Sequence, residues 1–164
     1  AVHRAIVIFS KILKFYPHAT FQIIGSDGGT LDQVKELCTE LKVNKSVFFH
    51  NEMEFDDIEK YAKRACFYLQ TSLYEGAAMS VMESMKFGLV PIVTPVGEIS
   101  RYCDNDNSII VYSNNEAVRD TVMVIKSQSL YDLLSRNAST KFLFHNSYVD
   151  SIMSSSEDMV NKWV

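Results

Sequence analysis

Cys66-Phe67-Tyr68-Leu69-Gln70-Thr71-Ser72-Leu73-Tyr74-Glu75-Gly76-Ala77-Ala78-Met79-Ser80-Val81-Met82-Glu83-Ser84-Met85-Lys86-Phe87-Gly88-Leu89-Val90-Pro91-Ile92-Val93 is the stretch on which the fold turns. Its first four residues are a short apolar run of strand type. A helix follows from about Ala78 to Phe87, ended by Gly88, a residue suited to the left-handed conformation at a helix terminus. Val90-Pro91-Ile92-Val93 is apolar again and reads as a second strand.

The same alternation extends outward on both sides. Val2, Ala5, Ile6, Phe9, Ile12, Leu13 and Tyr16 recur at helical spacing until Pro17 stops the pattern. Thr20-Phe21-Gln22-Ile23-Ile24 reads as a strand ending at Gly25, and the turn Ser26-Asp27-Gly28-Gly29 leads to a helix bearing Leu31, Val34, Leu37, Cys38 and Leu41. Val47-Phe48-Phe49 is a strand, and Asp56-Asp57 opens a helix that closes on Lys60, Lys63 and Arg64, as the helix dipole favours. Ile109-Ile110-Val111-Tyr112 is the last strand. Beyond it the pattern is helical only. One helix is capped by Asn114 or Asn115, one contains Leu130, Leu133 and Leu134, and one is expected to start at the Ser154-Ser155-Ser156-Glu157 capping box and end near Trp163.

Strands alternating with helices through short loops require a parallel sheet covered on both faces. The predicted fold is therefore α/β, a Rossmann-like doubly wound parallel sheet with extra C-terminal helices, in one domain over residues 1–164. Such sheets bind ligands beyond the carboxyl ends of their strands, so the loops after Ile24, Phe49, Leu69 and Val93 are where function is expected. The chain opens on a helix where a doubly wound domain usually opens on a strand, so a strand just upstream of Ala1 is expected.

Composition excludes several other classes. Of 164 residues, 47% are hydrophobic and 22% charged, enough apolar material for a core and too much for a disordered chain. The net charge of -4 carries no dominant basic patch, so nucleic acid is not an expected partner. No apolar run approaches the ~20 residues of a membrane-spanning helix, and the first residues do not read as a signal peptide. Cys38, Cys66 and Cys103 are scattered, read as small buried hydrophobes, and fit a reducing cytoplasm. His3, His18 and His145 read as solvent-facing and have no metal-ligand spacing, so no metal is expected. Met79, Met82 and Met85, near helical spacing, read as core.

The chemistry is concentrated between Gln70 and Met85. Gly76, Ala77 and Ala78 are small enough to let a ligand approach the backbone, and the N–H groups of Ala78, Met79 and Ser80 at a helix start form a site for phosphate. Glu75 lies just before that helix and Glu83 on its second turn. Acids commonly gather at helix starts, and alone the pair would mean little. A carboxylate, however, accepts hydrogen bonds from hydroxyls and repels phosphate. Two of them flanking a phosphate site therefore suit a ligand in which sugar, phosphate and ribose follow one another: a nucleotide-sugar.

With these residues in view, the chain resembles the carboxyl-terminal, donor-binding domain of the retaining GT-B-type glycosyltransferases of the group 1 family. The resemblance rests on Ser72-Leu73-Tyr74-Glu75-Gly76, on the Glu-x7-Glu spacing of Glu75 and Glu83, and on Gly88-Leu89-Val90-Pro91-Ile92-Val93. Pro17 through Gly25, Val47-Phe48-Phe49, Val96-Gly97 and Asn107-Ser108-Ile109-Ile110-Val111 match in order, so it covers roughly residues 5–112.

The resemblance implies one half of a GT-B fold and transfer of a hexose from a nucleoside diphosphate with retained configuration, in glycan or polysaccharide synthesis. It implies that Glu83 bonds the ribose hydroxyls and that Glu75, the catalytic residue, lies near the donor sugar and its developing positive charge. Amides at Ala78, Met79 and Ser80 would hold the diphosphate in place of a metal, beside Gly76. Gly25-Ser26 and His50-Asn51 would bracket the base, with Ser72 lining the same cleft. The implied partner is an N-terminal acceptor-binding domain, so the chain reads as a fragment of a two-domain enzyme, inactive alone. The expected setting is the cytoplasm, with peripheral attachment at the inner face of a membrane left open.

The departures from the family pattern are local. Ala77-Ala78 replaces a common aromatic–glycine pair, Arg101 stands where glutamate is common, and His50 where glycine is. The family's Arg/Lys pair ahead of the first helix has no counterpart in Ala1-Val2-His3-Arg4. Two other readings are open: a sugar-nucleotide epimerase, and a non-catalytic nucleotide-binding or interaction module of the same fold, in which Glu75 and Glu83 would not share a cleft.

Overall fold

The computed structural model describes the backbone over residues 1–161 and the side chains over residues 1–144. Helices and strands alternate as α1 (Val2–Ile12), β1 (Phe21–Ile24), α2 (Leu31–Glu40), β2 (Val47–His50), α3 (Phe55–Ala62), β3 (Phe67–Gln70), α4 (Met79–Lys86), β4 (Val90–Val93), α5 (Ile99–Tyr102), β5 (Ile109–Ile110), α6 (Asn114–Lys126) and α7 (Gln128–Asn161). Every strand pairing is parallel, so the chain is α/β and Rossmann-like with added C-terminal helices.

The sheet is in two ladders, β1–β2 and β3–β4–β5, rather than the single one expected. No pairing joins β1 to β3. Helix α1 spans the division. Its Ile6 and Phe9 pack with Val34, Cys38, Val43 and Val47 beside β1 and β2, while Ile8 and Ile12 pack with Val90, Ile92 and Val111 and the inner face of α6. Strand β4 is buried along its whole length, as a central strand covered on both faces should be, whereas β1 and β3 are half-buried throughout.

Several boundaries differ from expectation for identifiable reasons. Helix α1 ends at Ile12, and its tail tightens through Phe15 N–H and Tyr16 N–H onto the Ile12 carbonyl, because Pro17 disfavours helical backbone at the residue before it. Helix α6 is capped by Ser113, whose hydroxyl accepts from the Glu116 N–H at 3.2 Å, and not by Asn114 or Asn115. No helix starts at Ser154, since α7 runs through it with no glycine or proline to interrupt the chain. Trp163 lies outside the described residues, as does the side chain of His145. Cys66, just ahead of β3, is exposed, while Cys38 and Cys103 are buried and burial pushes both thiols up, Cys103 to about 12. Met82 and Met85 are core, but Met79 is 62% exposed. His18 is exposed and His3 half-buried.

Helix α4 ends as its sequence predicts. The Gly88 N–H bonds the Met85 carbonyl at 3.0 Å and the Leu89 N–H the Ser84 carbonyl at 3.2 Å, with Gly88 at φ +75°. That is the Schellman arrangement. A Cβ on Gly88 would meet Ser135 Oγ at 3.1 Å and adopt a left-handed backbone. Gly88→Ala is therefore expected to lower stability by about 1–2 kcal/mol, read as a shift in the urea unfolding midpoint.

Candidate functional site

The loop from Thr71 to Ala78 leaves the carboxyl end of β3 and enters α4. Its carbonyls are drawn inward. Thr94 Oγ1 donates to the Ser72 carbonyl at 2.6 Å, and the Glu98 N–H donates to that of Gly76 at 3.1 Å. Tyr102 Oη donates to the carbonyl of Ala77 at 2.9 Å and approaches that of Ala78 at 3.3 Å. The N–H groups of Ala78, Met79 and Ser80 have no partner within the described residues. With the oxygens held below, these amides open the first turn of α4, where the helix dipole adds positive potential. Ala78 itself takes the left-handed conformation, φ +48° and ψ 54°, a rare state for a residue with a Cβ.

Side chains form a second layer over this backbone. Gln70, the last residue of β3, donates from Nε2 to Glu75 Oε1 at 2.5 Å and to Ser72 Oγ at 3.3 Å. Its Oε1 accepts from Tyr68 Oη at 3.0 Å and lies 3.3 Å from Ser80 Oγ, which is also 2.9 Å from Tyr68 Oη. The Tyr68 phenol is pushed up, first by burial and then by the Glu75 and Glu83 carboxylates, against the hydrogen bond to Ser80. Both carboxylates thus act on one phenol. Tyr102 is also pushed up, chiefly by burial.

The residues singled out in the sequence fall into two groups. Glu75, half-buried, joins Ser72 and Ser80 in the network, and Gly76, Ala78 and Met79 belong to the same loop and helix start. Glu83 is exposed one turn beyond Met79 and shares that helix face with it and with Ser80. Gly25, Ser26, His50 and Asn51 lie at the ends of β1 and β2, on the other ladder. His50 is engaged there: its Nε2 lies 2.7 Å from Gln22 Oε1, and its ring packs 4.9 Å from that of Tyr61. The adjoining glycine-rich turn is filled by its own acid, because Asp27 Oδ1 accepts from the N–H groups of Gly29, Thr30 and Leu31. Those bonds, the one from Gly29 foremost, pull the Asp27 carboxyl below its usual range.

Sequence reasoning did not pick out Tyr68, Gln70 or Tyr102. Tyr68 and Gln70 carry a signal all the same, since two polar residues at i and i+2 on a strand of a covered parallel sheet must point to one face and find partners there. Arg4, at the start of α1, bonds Asn114 Oδ1 at 2.7 Å and the Tyr112 carbonyl, neither of them part of this loop. Among the described residues no group of three or more His, Cys, Asp or Glu side chains could hold a metal ion.

Comparison with known proteins now bears on this arrangement. The family described as glycosyl transferases group 1 matches residues 1–150. The chain belongs to that family. It is 29% identical over 106 residues to an uncharacterized glycosyltransferase of Methanocaldococcus jannaschii, covering 64% of this chain and 27% of that relative. The chain thus spans about a quarter of the length of that relative. In structure it is similar to the C-terminal domain of the group 1 protein LpcC from Francisella tularensis, with a TM-score of 0.77, 21% identity and coverage of 87% of this chain and 77% of that one. It is similar also to HepE of Anabaena in complex with UDP-glucose, with a TM-score of 0.78, 16% identity and coverage of 93% and 44%. These likenesses establish the half-GT-B fold.

Within this group 1 domain the loop depends on Gly97. That residue has φ +57°, and a Cβ there would lie 2.1 Å from the Glu75 carbonyl oxygen and 2.9 Å from that of Gly76. Both obstacles are backbone, so the loop itself would have to move. Gly97→Ala is expected to cost about 2–4 kcal/mol, combining left-handed strain with overpacking, measured by urea unfolding.

Proposed function

We propose that this chain is the donor-binding half of a glycosyltransferase, holding a nucleoside-diphosphate sugar for retaining transfer of a hexose in glycan or polysaccharide synthesis. The observation that carries this reading is the loop before α4: carbonyls tied inward, amides of Ala78, Met79 and Ser80 open, and a carboxylate on either side. The UDP-glucose complex of HepE, a protein of the same fold, supports the choice of ligand class. On this reading the α4 amides receive the diphosphate and stabilise it as negative charge grows on departure. Glu75 faces the sugar and its developing positive charge, and Glu83 accepts from the ribose hydroxyls. Gly25, Ser26, His50 and Asn51 border the base, with the His50 ring already fixed by Gln22 and Tyr61.

Acceptor recognition is assigned to an N-terminal domain. The division between β1 and β3 suits one further parallel strand, ahead of α1. The first turn of α1 lies at the carboxyl end of β3, where Thr71 Oγ1 donates to the Ala1 carbonyl at 2.8 Å, and a right-handed crossover into α1 would start beside it. Scattered cysteines support a cytoplasmic setting, and no helix among the described residues is long and apolar enough to cross a membrane.

Removing the Glu83 carboxylate tests the assignment. Glu83 is exposed and makes no ion pair among the described residues, so Glu83→Ala should leave the melting temperature unchanged. It is expected to weaken nucleotide binding by ~1–3 kcal/mol, the worth of hydrogen bonds to a charged group. Calorimetric titration of UDP, GDP and ADP against both proteins measures this, and equal affinities overturn the ribose role.

A further inference from the structure

The geometry points to Gln70 as a positioning residue that sets the Glu75 carboxylate, with Tyr68 and Ser80 holding the oxygen end of its amide; the inference rests on the donor-binding reading above. Gln70 and Tyr68 are two apart on β3 and so lie on one face of the strand. The Gln70 Oε1 accepts from Tyr68 Oη at 3.0 Å and has Ser80 Oγ at 3.3 Å, which leaves Nε2 to donate to Glu75 Oε1 at 2.5 Å and Ser72 Oγ at 3.3 Å. Turning the amide over would set its oxygen against a carboxylate oxygen, which can only accept, whereas the phenol and hydroxyl can serve in either role. Only one orientation satisfies every partner.

Donation therefore runs one way, from Tyr68 and Ser80 through Gln70 to Glu75, and the carboxylate is the acceptor at its end. The bond to Glu75 is charge-assisted and short. Ser80 belongs to the first turn of α4, so the same side chain that orients Glu75 is tied to the open amides. Gln70 thereby fixes the spacing between a group facing the sugar and a group facing the phosphate. A displacement of about 1 Å in such a pair is enough to matter for a reacting ligand.

The test uses the chain itself, with UDP and UDP-glucose as probes in calorimetry and the ratio of their affinities as the reading. In Gln70→Leu that ratio should shift about tenfold against UDP-glucose, the loss of a charge-assisted hydrogen bond, while affinity for UDP stays within about twofold. Tyr68→Phe should give a smaller shift, and the double variant should show no more than Gln70→Leu alone, as expected for residues acting in series. Gln70→Glu keeps the shape but replaces the donor by a second carboxylate. Its deficit should equal or exceed that of Gln70→Leu, because the new carboxylate repels Glu75 instead of donating to it.

Glu75→Gln separates the two levels of the claim. If it lowers the ratio and Gln70→Leu does not, Gln70 has no positioning role and Glu75 keeps its own. If neither changes the ratio, or if the chain binds neither probe, the donor-binding reading fails and the inference with it. Equal losses for UDP and UDP-glucose in Gln70→Leu, with a lowered melting temperature, would make Gln70 merely structural. A deficit in Gln70→Glu smaller than that of Gln70→Leu would also overturn it.

Discussion

The parallel register of β3 on β4, which sets Gln70 opposite Val93, is the constraint from which the site is built. Two loops leave the sheet side by side at that point and are stitched together at once. The Thr94 N–H donates to the Gln70 carbonyl at 3.2 Å and Thr94 Oγ1 to that of Ser72 at 2.6 Å. Beyond them Gly97 lies against the Glu75 carbonyl, and the Glu98 N–H and Tyr102 phenol take the next two carbonyls. Each bond is worth only about 1 kcal/mol net. Their larger effect is directional, since a peptide whose oxygen is held inward must turn its neighbouring N–H groups elsewhere. The buried strand β4 thereby determines which way the loop's amides face.

Ala78 shows what that constraint costs. Left-handed backbone at a residue with a Cβ is unfavourable by roughly 1–2 kcal/mol. Its methyl packs among Val81, Met82 and Tyr102, which returns about 0.8 kcal/mol by burial. The group 1 pattern commonly has glycine here, for which the same backbone carries no strain. This chain keeps the turn while giving up the residue that takes it most easily. The hydrogen bonds beneath the loop are therefore strong enough to hold the conformation against the local preference.

How much of this could be read from the sequence depended on whether a feature is local. Gly88 was legible, because a glycine after an apolar helical pattern has one common use. The placement of Glu75 just before α4 and of Glu83 one turn into it was legible, although the hydrogen bonds that join Glu75 through Gln70 to Tyr68 were not. Two Ser-x-x-Glu patterns show the limit. At Ser113 the backbone arrives extended from β5, φ -131° and ψ 156°, and the serine caps α6. At Ser154 the chain arrives already helical, and no helix begins at the same four-residue pattern. The motif states what a serine can do, whereas the preceding element decides whether it does. Tyr102 was hidden for a related reason: α5 is four residues long, too short for a periodicity to register. The split into two ladders depends on pairing between distant strands, which no local pattern encodes.

Electrostatics narrows what the loop can hold. No ion pair among the described residues involves Glu75 or Glu83, and Arg4, the basic side chain at the start of α1, is committed to Asn114 and Tyr112. The positive partner at the loop is the α4 terminus itself, equivalent to roughly half an elementary charge. Two carboxylates stand beside it. A bare phosphate would gain from the amides and lose to the acids, with little net attraction. A ligand that places hydroxyls against both acids and its phosphates against the amides turns the repulsive groups into acceptors, and gains at all three points. On the donor-binding reading, selectivity at this loop comes from the acids as much as from the amides, which is why a device that holds Glu75 in place has something to act on.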